Sequence, residues 1–81
     1  MNHQDDLVKY LDLRGIPCPV NFVRCNLAVE NLKSHQTLKI DIDRGEPEES
    51  VISGLSQAGH SVEIINQNDN NITLIINRFG G

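Results

Sequence analysis

A cysteine between two prolines stands where a short apolar segment gives way to a helical pattern. Cys18 follows Arg14-Gly15, which ends the apolar segment, and is flanked by Pro17 and Pro19. This places the thiol at or next to the N-cap of the following helix. There, unpaired N–H groups and the helix dipole stabilise a thiolate and lower a thiol pKa from about 8.5. The sequence therefore predicts a nucleophile rather than the small buried hydrophobe that a free cysteine commonly is.

The residues around this cysteine are suited to hold it rather than to exchange protons with it. Arg14, four residues upstream, is expected to steady the anion with its positive charge. Gly15 lets the chain turn close to the thiol, and Pro17 and Pro19 restrict the loop because proline fixes its φ angle. None of the four has to act as an acid or a base, so we expect Cys18 to carry the chemistry alone.

The second cysteine belongs to a different environment. Cys25 recurs with Phe22, Val29 and Leu32 at helical spacing, which predicts a core position. Seven helical positions separate the two cysteines by about 10 Å of rise, whereas a disulfide needs Cα atoms within about 7 Å. The spacing also matches neither a redox Cys-x-x-Cys motif nor a zinc knuckle. We therefore expect two free thiols, of which only Cys18 reacts.

Length and charge limit what else the protein can do. The chain has 81 residues, enough for one domain with a compact core, and a net charge of -4 with no run rich in Lys and Arg. Direct binding of nucleic acid is therefore not expected. His3, His35 and His60 are too scattered for a metal site, and we expect no cofactor. The sequence has neither a signal-peptide pattern nor an apolar run of about 20 residues, so we expect a cytoplasmic monomer away from the membrane.

Hydrophobic periodicity predicts six elements in the order β-α-β-α-β-β. After a flexible leader of residues 1–7, a single domain spans residues 8–79, and residues 80–81 form a frayed end. The predicted elements are strand 8–13, helix 19–33, strand 37–43, a helix whose first turn contains Pro47, strand 60–66 and strand 72–77. One-sided strands and two crossover helices indicate an α/β (α+β) two-layer sandwich. Both helices cover one face of a four-stranded mixed sheet, and the other face is open.

A second apolar line runs along the first helix. Val20, Val23 and Leu27 lie beside the core face, as either the flank of the core or a patch for a partner, and the first arrangement is the commoner one. The predicted core face of the second helix consists of Val51, Ile52, Leu55 and Ala58, and the third strand is predicted to have Val62 and Ile64 on one side.

Three motifs resemble those of the TusA/SirA-like sulfur-carrier proteins, and the resemblance covers nearly the whole chain. Leu11-Asp12-Leu13-Arg14-Gly15-x-x-Cys18-Pro19 is similar to the family's N-terminal signature, Gly45-Glu46-Pro47 to a tripeptide of some branches, and Gly59-His60 to a later Gly-His pair. The family's Cys-Pro-x-Pro reads Cys18-Pro19-Val20-Asn21 here. Asn21 restores a backbone N–H and adds a carboxamide, which we expect to change the surface around the thiol and with it the choice of partner.

The resemblance implies a function. It implies a small α/β sulfurtransferase in which Cys18, at the start of the first helix, carries sulfane sulfur as a persulfide. The partners it implies are a sulfur-donor protein, such as a cysteine desulfurase, and a sulfur-acceptor protein. Family members of this kind serve tRNA thiolation, molybdenum-cofactor pathways and sulfur oxidation.

Two other functions stay open on the sequence. The chain ends in Gly80-Gly81, and ubiquitin-like carriers hold sulfur as a thiocarboxylate on such an end, although their fold begins with a hairpin and this chain with a strand and a helix. The protein could instead be a non-catalytic interaction module that binds a partner through the open sheet face or the acidic residues between positions 41 and 49. This function would leave the placement of Cys18 unexplained. A thiol oxidoreductase fits less well, because no second cysteine is near enough to resolve a mixed disulfide.

Overall fold

The computed structural model describes residues 7–77 of the chain. Its elements are β1 (Val8–Asp12), α1 (Val20–Glu30), β2 (Thr37–Asp43), α2 (Glu46–Gln57), β3 (Ser61–Gln67) and β4 (Asn71–Asn77). The predicted order β-α-β-α-β-β is confirmed. Helix α1 ends earlier than predicted because the chain tightens after it, with Leu32 N–H donating to the carbonyl of Val29, three residues back, at 3.1 Å. Residues 1–6 of the predicted leader and the predicted frayed end at residues 80–81 lie outside the described range.

The four strands form one mixed sheet in the order β1-β2-β4-β3. β1 runs parallel to β2, and β4 runs antiparallel to both β2 and β3. Each helix is therefore a crossover between two strands that point the same way, which is the connection that parallel strands require. Because β1 and β2 are parallel neighbours, their carboxyl ends lie at the same edge of the sheet, and α1 and α2 both follow from that edge.

One apolar cluster joins the sheet to both helices. Its buried members are Leu13, Cys25, Val29, Leu32, Leu38, Ile40, Ile42, Val51, Leu55, Ile72, Leu74 and Ile76. The β2 members alternate with partly exposed residues and lie in register with the β4 members, so one face of the sheet meets both helices, as predicted. Full burial of such a side chain stabilises the fold by roughly 1.5–3 kcal/mol.

The third strand is mostly exposed. Val62 packs partly against the core, but Ile64 is 50% exposed and Ala58, at the end of α2, is exposed as well. Among the described strands, β3 pairs with β4 alone and lies at the edge of the sheet. Its helix-facing side chains therefore lie at the margin of the helical layer. Ile64 therefore lies outside the core, and the prediction that Ala58 belongs to the core face of the second helix is wrong.

The two helices pack against each other at a glycine. A Cβ atom on Gly54 would lie 2.4 Å from Cε1 of Phe22, well inside the separation of about 3.5–4.0 Å at which carbon atoms attract. The missing side chain lets α2 approach the first turns of α1, and this contact sets the loop that precedes α1 beside α2. Neither helix within residues 7–77 is long and apolar enough to cross a membrane.

The face of the sheet opposite the helices is open, as predicted, and is polar at its centre. Asp41 accepts hydrogen bonds from the hydroxyl groups of Thr73 and Tyr10. Both bonds lower the pKa of the Asp41 carboxyl, and the bond from Thr73 has the larger effect.

Candidate functional site

The loop between β1 and α1 is held to the sheet by backbone N–H groups. Ile16 N–H donates to the carbonyl of Leu13 at 3.2 Å, which closes a turn around Arg14 and Gly15. Gly15 has a φ of +77°, a conformation that residues with a Cβ atom rarely adopt. Its N–H donates to a carboxylate oxygen of Asp43, at the end of β2, at 2.8 Å. Gly15 therefore turns the chain and ties the loop to the neighbouring strand.

Arg14 makes its ion pair with Asp12 inside the same segment. The guanidinium Nε and Nη2 atoms donate to the two carboxylate oxygens of Asp12, each at 2.9 Å. These hydrogen bonds lower the pKa of Asp12 to about 2. Arg14 also lines an open cavity of about 350 Å³ on the open face of the sheet, together with Asp41 and Thr73. The contribution of Arg14 to the Cys18 anion therefore stays a prediction.

The amino-terminal turn of α1 uses most of its own hydrogen-bond donors. Pro19 is the N-cap residue and has no N–H. Asn21 N–H donates to the carbonyl of Pro17 at 3.0 Å, and Phe22 N–H donates to the side-chain carbonyl of Asn21 at 2.6 Å. Among the first-turn amides of the described chain, this leaves Val20 N–H without an acceptor. The helix terminus therefore offers fewer free N–H groups to a neighbouring thiolate than the sequence suggests.

A hydroxyl group from the other helix contacts the candidate nucleophile. Cys18 is exposed and stands two residues before the first residue of α1. Its Sγ atom lies 3.3 Å from Oγ of Ser50 in α2, and either atom can be the donor. Sequence reasoning missed Ser50, which lies 32 residues further along the chain. The signal for it is the parallel pairing of β1 and β2, because helices that follow neighbouring parallel strands begin side by side.

The side chain of Asn21 is buried rather than part of the surface around the thiol. The residue is 0% exposed and lies on the buried face of α1 with Cys25 and Val29. Its Nδ2 atom has no hydrogen-bond partner among residues 7–77. The expectation that the carboxamide changes the exposed surface is therefore wrong, because position 21 faces the core. The expected backbone N–H is present and bonds within the loop.

Cys25 is a core residue, as its helical spacing predicts. The residue is 0% exposed, and burial raises the pKa of its thiol to about 12. Neither Cys25 nor Cys18 forms a disulfide. Within residues 7–77, no group of three His, Cys, Asp or Glu side chains is arranged to hold a metal ion. Cys25 is therefore a neutral, inaccessible thiol at neutral pH.

The second apolar line of α1 is exposed. Val20, Val23 and Leu27 are 42%, 50% and 54% exposed, so the interpretation as the flank of the core is wrong. The other interpretation, a patch for a partner near Cys18, stays a prediction.

Comparison with known proteins assigns the chain to a family. The family model described as "Sulfurtransferase TusA" matches residues 9–78. The chain belongs to the TusA family. The match includes β1 from its second residue, the loop with Cys18 and both helices, so the exposed thiol stands within the TusA domain.

Two relatives extend this comparison. The chain is 33% identical over 61 residues to a protein of Archaeoglobus fulgidus named "Putative sulfur carrier protein". The aligned segment covers 75% of this chain and 69% of that protein. The crystal structure of a SirA-like protein from Desulfitobacterium hafniense superposes with a TM-score of 0.71 at 17% identity, covering 85% of this chain and 93% of that one. The resemblance to TusA/SirA-like proteins and the two-layer fold are thereby confirmed.

Proposed function

We propose that this TusA-family protein is a sulfur carrier that accepts sulfane sulfur as a persulfide on Cys18 and relays it to an acceptor protein. The observation that carries the proposal is the contrast between its two thiols. Within a TusA domain, Cys18 is exposed in the loop before α1, and Cys25 is buried. The name of the Archaeoglobus relative supports the same role.

The proposed reaction needs one accessible thiolate. Cys18 attacks the outer sulfur of a persulfide on the donor protein, a new S–S bond forms to Cys18 Sγ, and the donor cysteine leaves as a thiolate. In the second step a thiolate of the acceptor attacks the outer sulfur on Cys18, and Cys18 is the leaving thiolate. Each step moves one sulfur atom without net oxidation or reduction, so no second cysteine and no cofactor are required.

The loop supports this reaction by presenting the thiol. The turn at Gly15 and its bond to Asp43 anchor the start of the loop. Pro17 and Pro19 restrict the backbone on either side of Cys18. A loop with few accessible conformations loses little entropy when a partner docks, which favours close approach of the partner's sulfur.

The partners follow from the chemistry. A donor must present a persulfide, which a cysteine desulfurase generates, and an acceptor must present a nucleophile for the outer sulfur of Cys18. A carrier that works through a free thiol needs a compartment that keeps thiols reduced, so the proposed location is the cytoplasm. The carrier is proposed to act as a monomer, and tRNA thiolation is one pathway that such a relay would supply.

Mass spectrometry tests the proposal. The protein is incubated with a cysteine desulfurase and cysteine, and the intact mass and fragment peptides are measured. We expect a gain of one sulfur atom on the peptide containing Cys18, removed by reducing agent. Cys18→Ala should abolish this gain. Cys25→Ala is the matched control, since it makes the same substitution on the other thiol, and it should retain the gain.

Other outcomes would assign a different function. Gly80 and Gly81 lie outside the described residues, and the described chain begins β1-α1 rather than with a hairpin. Loading that requires ATP, survives Cys18→Ala and disappears when Gly80 and Gly81 are deleted would identify a thiocarboxylate carrier. If a Cys18→Ser protein carried no sulfur and still retained full function in the cell, the protein would be an interaction module.

A further inference from the structure

Ser50 makes the one side-chain hydrogen bond to Cys18 found within residues 7–77, at 3.3 Å between Oγ and Sγ. Ser50 is partly buried, whereas Glu49 before it is exposed and Val51 after it is fully buried. The backbone of α2 is held in place by Val51 and Leu55 in the core. The hydroxyl group is therefore presented to the loop by a rigid helix, not by a mobile surface segment.

The hydroxyl group of Ser50 has no structural task at the start of α2. Serine is common at helix N-caps, where its oxygen accepts a backbone N–H. The N-cap of α2 is Gly45, and among residues 7–77 no side chain caps this helix. Ser50 is the fifth residue of α2, where serine is a poorer helix former than alanine. Its one hydrogen-bond partner in the described chain is the sulfur of Cys18.

We propose that Ser50 donates its hydroxyl proton to the Cys18 thiolate and thereby stabilises it as the leaving group of sulfur transfer. The inference rests on the proposed function of Cys18 as a sulfur carrier. In release, an acceptor thiolate attacks the outer sulfur, the S–S bond to Cys18 Sγ breaks, and the electron pair stays on Sγ, where the Ser50 O–H meets it. The serine proton is shared and not transferred, so atoms and charges balance without a further reactant.

The two half-reactions should depend on this hydrogen bond in opposite ways. A stabilised Cys18 thiolate leaves faster when sulfur is released to the acceptor. In the loading step the same thiolate, once fully ionised, attacks the donor persulfide more slowly, because nucleophilicity falls as basicity falls. Loss of the hydroxyl group should therefore slow sulfur release while leaving the loading rate at high pH unchanged or slightly higher. A purely structural role of Ser50 would change both steps in the same direction.

The experiment compares Ser50→Ala with wild type, with Ser50→Thr, which keeps the hydroxyl group, and with Ser53→Ala. Ser53 is an exposed serine of the same helix whose hydroxyl group contacts Gln57 instead. The first measurement is the pH profile of Cys18 alkylation by iodoacetamide. The second loads Cys18 with inorganic polysulfide and follows sulfur release to a small thiol by mass spectrometry. Circular dichroism checks folding, which alanine in a helix should not impair.

We expect Ser50→Ala to move the midpoint of the alkylation profile to higher pH by roughly 0.5 to 1 unit, as loss of one hydrogen bond to the thiolate predicts. Sulfur release should slow about 2- to 3-fold, because about half of the change in thiol basicity is expressed in the rate of a thiol–disulfide exchange step. Ser50→Thr should restore both values toward wild type, and Ser53→Ala should change neither.

The inference would be overturned if folded Ser50→Ala had the same alkylation profile as Ser53→Ala. It would also be overturned if the midpoint of the Ser50→Ala profile moved to lower pH. The lower midpoint would mean that Ser50 accepts a bond from the neutral thiol instead. Alkylation and polysulfide loading need no partner protein, so they test Ser50 even if a cysteine desulfurase fails to load Cys18. That failure would count against the proposed function alone.

Discussion

Two thiols seven residues apart illustrate how strongly position decides the chemistry of one residue type. Cys18 lies in an exposed loop with a hydroxyl group 3.3 Å from its sulfur. Cys25 lies in the second turn of α1, is 0% exposed, and burial raises its thiol pKa to about 12. A thiolate in the core would have to give up its hydration without a compensating charge.

The boundary between these two environments falls within the first turn of α1. Pro19 is still exposed, and Asn21 is already fully buried. The chain thus passes from solvent to core within about 5 Å of helix rise. The difference between the thiols is therefore one of burial and not of distance along the sequence.

The strongest test of this contrast is alkylation of the native protein. At neutral pH we expect iodoacetamide to modify Cys18 at least about 100-fold faster than Cys25, because the thiolate is the reactive species and a buried thiol is both protonated and inaccessible. Peptide mapping after timed quenching gives both rates. In denaturant the two rates should converge, and comparable rates in the folded protein would mean that the two environments are misassigned.

A smaller effect is expected on stability. Cys25→Ala removes one buried sulfur atom and should lower the free energy of unfolding by about 1–2 kcal/mol at neutral pH, as small core deletions do. Cys18→Ala, in the exposed loop, should change it by less than about 0.5 kcal/mol. Urea unfolding measures both variants, and an equal loss at the two positions would contradict the assigned burial.

The penalty of Cys25→Ala should also shrink at alkaline pH. Below about pH 8 the Cys25 thiol is protonated in both the folded and the unfolded chain. Between pH 9 and about 12 the unfolded thiol ionises while the folded one stays neutral, so rising pH favours unfolding by up to about 1.4 kcal/mol per unit. The alanine variant lacks this group and escapes that loss. A penalty that stays constant through this range would show that Cys25 is not desolvated.

The smallest effect concerns the boundary residue Asn21. Its Nδ2 atom is buried without a partner in the described chain, a situation that costs about 1–3 kcal/mol. Asn21→Val removes that donor, together with the bond from Phe22 N–H to Oδ1, and should raise the free energy of unfolding by about 1 kcal/mol. Asn26→Val, on a partly exposed position of the same helix, is the control and should show no gain. Destabilisation by Asn21→Val would mean that the bond from Phe22 N–H to Oδ1 contributes more to stability than the unpaired Nδ2 atom costs.

The elements and the two thiols could be predicted from the sequence because they depend on local patterns. Alternation over Thr37–Asp43 and helical spacing from Phe22 to Val29 give the β2 strand and the core face of α1. The same spacing places Cys25 in the core, and the proline-flanked turn places Cys18 before the helix. The type and order of the six elements follow from periodicity, which is a property of neighbouring residues.

Tertiary structure alone decided which groups meet across the sheet. Ser50 reaches Cys18 because β1 and β2 are parallel neighbours, and Ile64 is exposed because β3 lies at the edge. Asn21 turns into the core. Each outcome depends on strand order or on the orientation of one side chain relative to residues far along the chain. Local periodicity carries no information about either, so these contacts follow only from the packed fold.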